Sequence, residues 1–454
     1  MSPFNSFIMR SIYIVLLFLV TASSCKKFLT ENPNNALPAG QSITDLGTSR
    51  AAILGAYDGV QNYYTGSSAN YIVLGTITAD NVIFNGTLSQ YLQLDQNAVP
   101  ADNVTTVATY QLIYKAINAA NNVIAYVPAV TDPLLTATEK SSILGEAYFI
   151  RALGYFDLGR GWGGVQLQLA PTKDLSSLKG VARSTPDATY AQVQADLTQA
   201  ELLLPEDATT RNRAQKSAAR ALRARLDLYR QNWDSASVYA SKVIANTKYS
   251  LVTPYQTFFS SPFLSAESVF ELSFSANDKN SFWNLWYPSS AGGQYTLKPS
   301  ASIVTKLNDP SIGGSRKALI SGSGTSVYGV LYNTTSTSTD PSYVIRIAEL
   351  YLIRAEAKAH LGDLSGALTD LNAIRARAGV PASTASTQAD LLQAIEDENS
   401  VEFAFEAHRW FDLVRTQRAG VVLGLTNTNY WLFPLPLSDV LSDPDLGGKN
   451  NPGY

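Results

Sequence analysis

Histidine and cysteine, the side chains best suited to proton transfer near neutral pH and to binding transition metals, are scarce in this 454-residue sequence. The histidines are His360 and His408, and the sole cysteine is Cys25. Neither histidine has a second histidine or a cysteine at the spacing that zinc sites use. The carboxylates at 396–398, Glu-Asp-Glu, could be compared with the acid pair of a glycosidase, but consecutive helical residues point in different directions. We therefore predict no catalytic residue and no metal site, and a solvated surface for the three carboxylates.

Composition narrows the function further. Lys and Arg total 34 against 37 Asp and Glu, which gives a formal net charge of −3 and no basic surface to gather phosphates. Nucleic acid is therefore not an expected partner. The sequence contains no G-x-S-x-G, P-loop or strand-linked G-x-G-x-x-G motif, and its 24 Tyr, 17 Phe and 6 Trp suit stacking surfaces better than proton transfer. We predict a binding protein without a cofactor rather than an enzyme.

The beginning of the chain has the pattern of an export signal. Arg10 precedes an apolar run at 12–20, which small residues follow at 21–24. A basic flank, a short apolar core and a small-residue cleavage region are typical of a secretory signal peptide, and the run is too short for a stable membrane span. We predict a signal peptide at residues 1–24.

The residues at the predicted cleavage site indicate a lipid anchor. The tetrad Ala-Ser-Ser-Cys at 22–25 resembles a lipobox, although Leu is commoner than Ala at its first position. Acyl chains on Cys25 would hold the protein on a bilayer without a transmembrane helix. Behind Cys25 the chain is polar and interrupted by prolines, so we predict a lipid-anchored tether over residues 25–48. The alternative is an incidental cysteine beside an ordinary cleavage site.

Helical periodicity dominates the rest of the sequence. The predicted helices cover residues 49–62, 108–126, 137–159, 188–203, 216–230, 233–245, 344–361, 364–378 and 388–414, the last with a break. Thr136 and Thr185 stand where N-caps are expected, the latter before Pro186.

Two helix pairs repeat each other without a gap. Residues 222–236 align with residues 353–367, and small residues such as Ala224 and Ala355 recur where the paired helices would approach closely. Such units resemble tetratricopeptide repeats, which stack because one unit cannot bury its apolar face alone. The fold class we predict is mostly α, with tetratricopeptide-like helical repeats forming an α-α superhelix. Generic amphipathic helices that match by chance are the alternative.

A loop-rich segment separates the two repeats. Residues 250–343 are rich in Gly, Ser, Thr and aromatic residues and show little helical periodicity, although 268–274 alternates like a strand. We therefore predict an N-terminal helical region at 49–249 and a C-terminal region at 250–454, which contains the loop-rich, irregular insert 250–343 and a helical repeat. Long irregular segments on a helical scaffold are where recognition is usually found.

The C-terminal third contains the most specific motif, VEFAFEAHRWFDLVR at 401–415. It resembles the signature helix of the SusD/RagB family of outer-membrane nutrient-binding lipoproteins. Further blocks match the family in the same order. They are Cys25 with Phe28-Leu29 and Asn32-Pro33, EAYFIRA at 146–152, GWGGV at 161–165, IRIAELYLIRAEA at 345–357, LFPLP at 432–436 and NNPGY at 450–454.

The resemblance implies a lipoprotein of the outer membrane, facing the cell exterior and paired with a SusC-type TonB-dependent transporter. In such pairs the lipoprotein is thought to act as a hinged lid that captures an oligosaccharide and delivers it to the barrel without chemistry. A peptide-binding member of the family and a protein-only helical-repeat scaffold are the alternatives, and a surface glycoside hydrolase is a third. Charged motif residues are predicted to form internal ion pairs that fix helix packing, namely Arg151, Arg354, Glu356, Glu406 and Arg409.

Two segments combine aromatic rings with amide or carboxylate side chains, as a sugar site requires. One follows the first helix, where the family commonly places ligand contacts, and the other lies in the loop-rich insert. The predicted ligand-binding residues are Asp80, Asn81, Phe84 and Gln90 in the first segment and Trp283, Trp286, Tyr287 and Tyr295 in the second. We expect Trp283 and Tyr295 to be stacking platforms, and Asp80 and Asn81 to be their polar partners. Burial of the aromatic rings under the loops is the alternative for each segment.

Overall fold

A computed structural model of the protein describes residues 42–67, 70–172, 180–206 and 210–454. The predicted signal peptide, Cys25 and most of the predicted tether lie outside the described residues. The described chain is mostly helical, which confirms the mostly α part of the predicted fold class. None of its helices combines the length and the apolar character needed to cross a membrane.

The secondary structure follows the chain in this order. The α-helices are α1 (Leu46–Thr65), α2 (Tyr71–Thr76), α3 (Ser89–Asp95), α4 (Val104–Tyr126), α5 (Ala137–Trp162), α6 (Pro186–Leu203), α7 (Lys216–Tyr229), α8 (Trp233–Ile244), α9 (Trp283–Trp286), α10 (Ala301–Asn308), α11 (Ile347–His360), α12 (Leu364–Ala378), α13 (Gln388–Glu402), α14 (Arg409–Arg415), α15 (Ala419–Val422) and α16 (Leu437–Ser442). The strands are β1 (Val82–Phe84), β2 (Ser268–Leu272), β3 (Leu297–Pro299), β4 (Ile320–Ser321), β5 (Tyr328–Gly329) and β6 (Ser342–Arg346). Short 3₁₀ turns occur at Val127–Ala129, Tyr255–Phe259, Ser289–Ala291, Gly314–Leu319, Gly324–Ser326, Thr428–Trp431 and Pro444–Leu446.

The helices begin where side chains can satisfy their first backbone N–H groups. Thr136 accepts from the N–H of Glu139 at 3.2 Å, and Thr185 accepts from the N–H of Ala188 at 3.1 Å. Pro186 is the first residue of α6 and has no N–H to lose there. Both predicted caps are therefore confirmed. The predicted helix start at residue 344 is wrong, because residues 344–346 belong to β6 and α11 begins three residues later. The break predicted within residues 388–414 is confirmed and separates α13 from α14.

Successive helices pack as neighbours. α1 packs on α4, α4 on α5, α5 on α6, α6 on α7, and α7 on α8. The order continues across the insert, because α8 packs on α11 and α11 on α12. The helices on either side of the insert therefore pack directly on each other, as neighbours in one row.

In the helical hairpins α7–α8 and α11–α12, the turns between the helices begin and end at residues that are aligned in the two repeats. α7 ends at Tyr229 and α11 ends at the aligned His360, and the next helices begin at the aligned Trp233 and Leu364. The small residues at the helix contacts are completely buried, namely Ala224, Ala236, Ala355 and Ala367. Winding of the row into a superhelix stays a prediction.

Ion pairs connect the helices as predicted. Arg151 binds Asp196 at 2.7 Å, Arg354 binds Asp370 at 2.6 Å, and Arg415 binds Glu356 at 2.6 Å. The solvated surface predicted for the carboxylates at 396–398 is wrong at Glu398, which is buried between Arg316 and Arg375.

A buried charge cluster joins the insert to the C-terminal helices. Arg346, at the end of β6, binds Glu267 at 2.7 Å, Glu402 at 3.0 Å and Glu406 at 2.8 Å. The cluster consists of Arg316, Arg346, Arg377, Glu267, Glu398, Glu402 and Glu406. Burial by itself would raise the pKa of Glu402, but the guanidinium groups of the cluster hold that pKa below its usual value.

The apolar core is continuous along the chain. One cluster of buried side chains extends in sequence from Ile43 to Leu446, and a smaller one lies among α11, α12 and α13. The boundary between residues 249 and 250 stays a prediction, and the core crosses it.

Candidate functional site

The two predicted binding segments meet through a short antiparallel strand pair. In the pairing of β1 with β3, Val82 lies opposite Pro299 and Phe84 lies opposite Leu297. The pairing continues beyond the strands, because Asn85 donates from its backbone N–H to the carbonyl of Thr296 at 2.8 Å. The side-chain amide of Asn85 also donates to the carbonyl of Tyr295, at 2.8 Å. Segments about 200 residues apart in sequence therefore form one surface.

The chain before β3 folds back on α9. Tyr295 donates from its backbone N–H to the carbonyl of Tyr287 at 2.9 Å, and Gln294 donates in the same way to Asn284 at 2.7 Å. Gly293 allows this close approach, since a Cβ there would lie 2.0 Å from the carbonyl oxygen of Tyr287. Tyr295 itself has a positive φ of 52°. These backbone hydrogen bonds fix the loop between α9 and β3, and with it the positions of the loop's side chains.

Four half-buried aromatic residues form what we call the aromatic platform, namely Trp283, Tyr287, Tyr295 and Tyr328. The rings of Trp283 and Tyr287 are perpendicular with centroids 5.7 Å apart, and those of Tyr287 and Tyr328 are 4.9 Å apart. The hydroxyl of Tyr295 donates to the carbonyl of Val327 at 2.7 Å, which ties that ring to the neighbouring strand. Burial, with a smaller contribution from Tyr328, raises the pKa of Tyr287 to about 12, so its hydroxyl is neutral at physiological pH.

Polar groups surround the platform. The indole N–H of Trp283 donates to the hydroxyl of Ser338 at 2.9 Å, which fixes the ring plane. Gln294 is exposed, and in the described structure its side-chain amide has no hydrogen-bond partner. The ammonium group of Lys298 lies 5.9 Å from the ring centroid of Tyr295. Fixed rings with free amides at their edge can stack on a sugar ring and bind its hydroxyls.

The structure corrects two of the predicted contacts, Trp286 and Asn81, and shows a third, Asp80, paired with an arginine. Trp286 is only 1% exposed and packs on Phe405, so its ring offers no face to a ligand. Asn81 is 3% exposed, and its side-chain amide donates to the carbonyl of Ser400 at 2.7 Å. Both carboxylate oxygens of Asp80 accept from Arg409, at 2.7 and 3.1 Å. Trp286 and Asn81 are therefore enclosed by protein instead of facing a ligand, whereas Asp80, with its side chain 26% exposed, stays a predicted contact.

The remaining predicted residues differ in their relation to the platform. Phe84 is half-buried in β1, with its ring perpendicular to that of Tyr91 at 6.2 Å. Gln90 lies on α3, where its carbonyl accepts from Asn103, and among the described residues no hydrogen bond joins it to the platform. Tyr328 belongs to the platform but was not predicted from the sequence. It lies in the two-residue strand β5, among Gly and Ser residues, and nothing in this short stretch indicates that β5 pairs with β4.

Several cavities lie elsewhere in the described structure, and two of them exceed 500 Å³. One, of about 580 Å³, is lined by residues of α4 and α16, and several of its polar side chains already have hydrogen-bond partners within the protein. For example, Tyr114 donates to the carbonyl of Gln166, whose side chain donates in turn to Asp443. The other, of about 510 Å³, lies among α8, α11, α13 and α14. The sequence analysis predicted neither cavity.

Comparison with known proteins finds matches over most of the chain. Residues 27–228 match a family described as starch-binding and associating with the outer membrane, and residues 324–424 match the SusD family. The chain is 23% identical to the SusD-like protein P38 of Formosa agariphila over 96% of this chain and 97% of the relative. It is 24% identical to the SusD-like protein P2 of the same organism over 97% and 99%.

Solved structures share the fold. A laminarin-binding SusD-like protein matches with a TM-score of 0.79 and 22% identity, over 90% of this chain and 100% of that one. A SusD superfamily protein of Bacteroides thetaiotaomicron matches with a TM-score of 0.78 and 24% identity, over 90% and 100%. The mostly helical architecture with short strands is thus common to these proteins.

Proposed function

Because the chain belongs to the SusD/RagB family, we propose that it is a non-catalytic lipoprotein that captures oligosaccharides on the aromatic platform. The captured glycan passes to a partner SusC-type TonB-dependent transporter in the outer membrane. The observation that supports this most directly is the pairing of β1 with β3, which places aromatic rings and amide side chains from both halves of the chain on one surface. The laminarin-binding protein of the same fold supports a glycan as the ligand class.

The platform suits a neutral carbohydrate. Sugar rings present apolar C–H faces edged by hydroxyl groups, so they stack on fixed aromatic rings and bind amides at the ring edge. Trp283 supplies a ring fixed by Ser338, while Gln294 and Asn85 are exposed beside Tyr295. A network of half-buried rings already held in place loses little conformational entropy when the ligand arrives.

The predicted anchor completes this function. Acylation of Cys25 would attach the protein to the outer membrane, facing the exterior, and the family description of outer-membrane association supports this location. Replacing Cys25 by Ser should abolish incorporation of labelled palmitate and move the protein from the membrane to the soluble fraction. Palmitate incorporation that persists in the variant would contradict acylation at this residue.

A glycan array on purified protein that begins at Lys26 tests capture. We expect selective binding to one glycan class, with affinity at least about tenfold weaker after Trp283→Ala, because a stacking face is lost. Tyr295→Asn should weaken binding as well, and Asn tolerates the positive φ at this position. Tyr430→Asn is the matched control, since Tyr430 is an exposed tyrosine whose ring makes an edge-to-face contact with Tyr454, away from the platform residues.

Other outcomes distinguish the alternatives. Binding of peptides instead of glycans, lost in the same variants, would indicate a peptide-binding member of the family. Absence of binding to either class, with the protein folded and co-purifying with other membrane proteins, would indicate a protein-only scaffold. Release of reducing ends from a polysaccharide would indicate a glycoside hydrolase. Co-purification of the acylated protein with a TonB-dependent barrel tests the proposed delivery step.

A further inference from the structure

The cavity of about 510 Å³ among α8, α11, α13 and α14 has the features of a second ligand site. Its volume falls within the range of about 300–1,000 Å³ that is usual for small-molecule sites. None of the four platform residues lines it. The residues that line this cavity therefore determine which ligand it can bind.

A stacked aromatic pair forms one wall. Trp233, at the start of α8, and His360, at the end of α11, have ring centroids 3.9 Å apart and planes inclined by 9°. Leu228, Ala389 and Leu392 add apolar surface to the lining. Burial lowers the pKa of His360, so its ring is neutral at physiological pH and can both donate and accept a hydrogen bond.

Polar side chains with unused hydrogen-bonding capacity line the same space. In the part of the chain that the structure describes, the side chains of Gln231, Asn399, Gln417 and His360 have no hydrogen-bond partner. Three amides and an imidazole thus offer several neutral donors and acceptors around the aromatic wall. A molecule with many hydroxyl groups could use all of them.

The charged groups of the lining are already paired. Arg415 donates to both carboxylate oxygens of Glu356, at 2.6 and 2.8 Å, and to Asp412 at 2.7 Å. Arg418 binds Glu396 at 2.8 Å, and Arg409 binds the same carboxylate at 3.4 Å. A charged ligand would have to break these pairs, whereas a neutral one would not.

Two of the amides are kept at positions where the backbone favours glycine. Gln231 and Gln417 have positive φ angles of 57° and 59°, and each follows the last turn of a helix. The aligned position in the second hairpin, Gly362, is a glycine and does not line the cavity. Glycine could adopt this conformation without strain, so the two amides can be removed without disturbing the turns.

We propose that this cavity is a second binding site, for a neutral monosaccharide or disaccharide, that stacks against the Trp233–His360 pair and binds the amides of Gln231, Asn399 and Gln417. The site goes beyond the proposed capture function, because no platform residue contributes to it. It would hold a short sugar beside the helical row while the platform holds a longer chain.

Ligand-observed NMR titration of the Trp283→Ala protein tests the second site with the platform impaired. The probes are D-glucose, maltose, cellobiose and laminaribiose, with D-glucuronate as the charged comparator. At least one neutral sugar should bind, and binding should weaken about tenfold after a further Trp233→Ala change. D-glucuronate should bind more weakly than D-glucose.

The matched variant is Gln231→Gly with Gln417→Gly, which removes two amides at positions where glycine relieves backbone strain. The thermal midpoint should not fall, and affinity should weaken about 3- to 10-fold for each amide that binds the sugar. The proposal is overturned if no neutral sugar binds, if the double glycine variant binds with unchanged affinity, or if D-glucuronate binds as well as D-glucose. Absence of array binding by the wild-type protein, with small-sugar binding present, would contradict the proposed function alone.

Discussion

Gln231 and Gly362 occupy the same position in the turns of two aligned helical hairpins, and both have a left-handed backbone conformation, with φ angles of 57° and 84°. The following residues close both turns in the same way. Asn232 donates from its backbone N–H to Asp227, and Asp363 donates to Lys358, at 2.8 and 2.9 Å. The backbones of the two turns are thus alike, so the effects of side chains at the left-handed position can be compared. The turns differ in capping, because Asp363 accepts from the N–H of Gly366 whereas Asn232 makes no capping hydrogen bond.

Gly362→Ala should destabilise the protein by about 1–2 kcal/mol, because an L-residue is strained in this conformation. A Cβ at Gly362 would have no atom within 4 Å, so the cost comes from the backbone alone. Gln231→Gly should leave the free energy of unfolding unchanged or raise it slightly. Chemical denaturation measures both, and equal destabilisation by the two changes would contradict the assigned turn geometry.

The buried charge cluster should respond strongly to loss of its central guanidinium group. Arg346→Met leaves the carboxylates of Glu267, Glu402 and Glu406 without their shared partner, and we expect a loss of about 3–5 kcal/mol. Arg50→Met is the control, because Arg50 pairs with Glu139 with its side chain 57% exposed. The control should lose less than about 1 kcal/mol. Comparable losses in both variants would show that burial does not set the cost.

His408 should make stability depend on pH in the mildly acidic range. Burial, together with Arg225, Arg160, Arg346 and Arg415, holds the pKa of His408 well below its usual value. Below about pH 6.5 the unfolded chain therefore binds a proton that the folded chain does not, and stability falls as the pH falls. This residue should account for up to about 1.4 kcal/mol lost between pH 7.5 and pH 5.5.

Denaturation of wild type and His408→Gln across this range checks the dependence on pH. The variant should show a smaller loss of stability on acidification, and the difference between the two proteins isolates His408 from the carboxylates. His360→Gln should have a smaller effect in the same direction, because burial lowers the pKa of His360 less than that of His408. Parallel pH profiles for wild type and His408→Gln would contradict the lowered pKa.

Local signals predicted the helices well. The helix predicted over residues 364–378 has these bounds in the structure, and the caps at Thr136 and Thr185 form as expected, since periodicity and capping involve only near neighbours in sequence. Residues 344–346 differ because β6 pairs with β2, about 75 residues earlier. Helical periodicity does not report a strand partner at that distance.

The candidate site was predictable as two segments but not as a set of contacts. Trp283 and Trp286 are the same residue type, three positions apart, so the sequence does not distinguish them. Only Trp286 is enclosed, by Phe405 and by the backbone of Gly329. Asn81 and Asp80 find their partners more than 300 residues away, at Ser400 and Arg409. Which polar residues face a ligand is therefore decided by tertiary packing, which a single sequence does not encode locally.

Gly292 and Gly293, in the loop between α9 and β3, allow a test of the geometry of the aromatic platform. Gly293→Ala places a Cβ 2.0 Å from the carbonyl oxygen of Tyr287, so the loop must move and Tyr295 must leave its hydrogen bond to that carbonyl. Gly292→Ala meets no atom within 4 Å and strains only its own backbone, by about 1–2 kcal/mol. We expect Gly293→Ala to change the near-UV circular dichroism and to weaken binding of the best array glycan at least tenfold, with a smaller effect of Gly292→Ala. Equal glycan affinities in both variants would show that capture does not depend on this conformation of the loop.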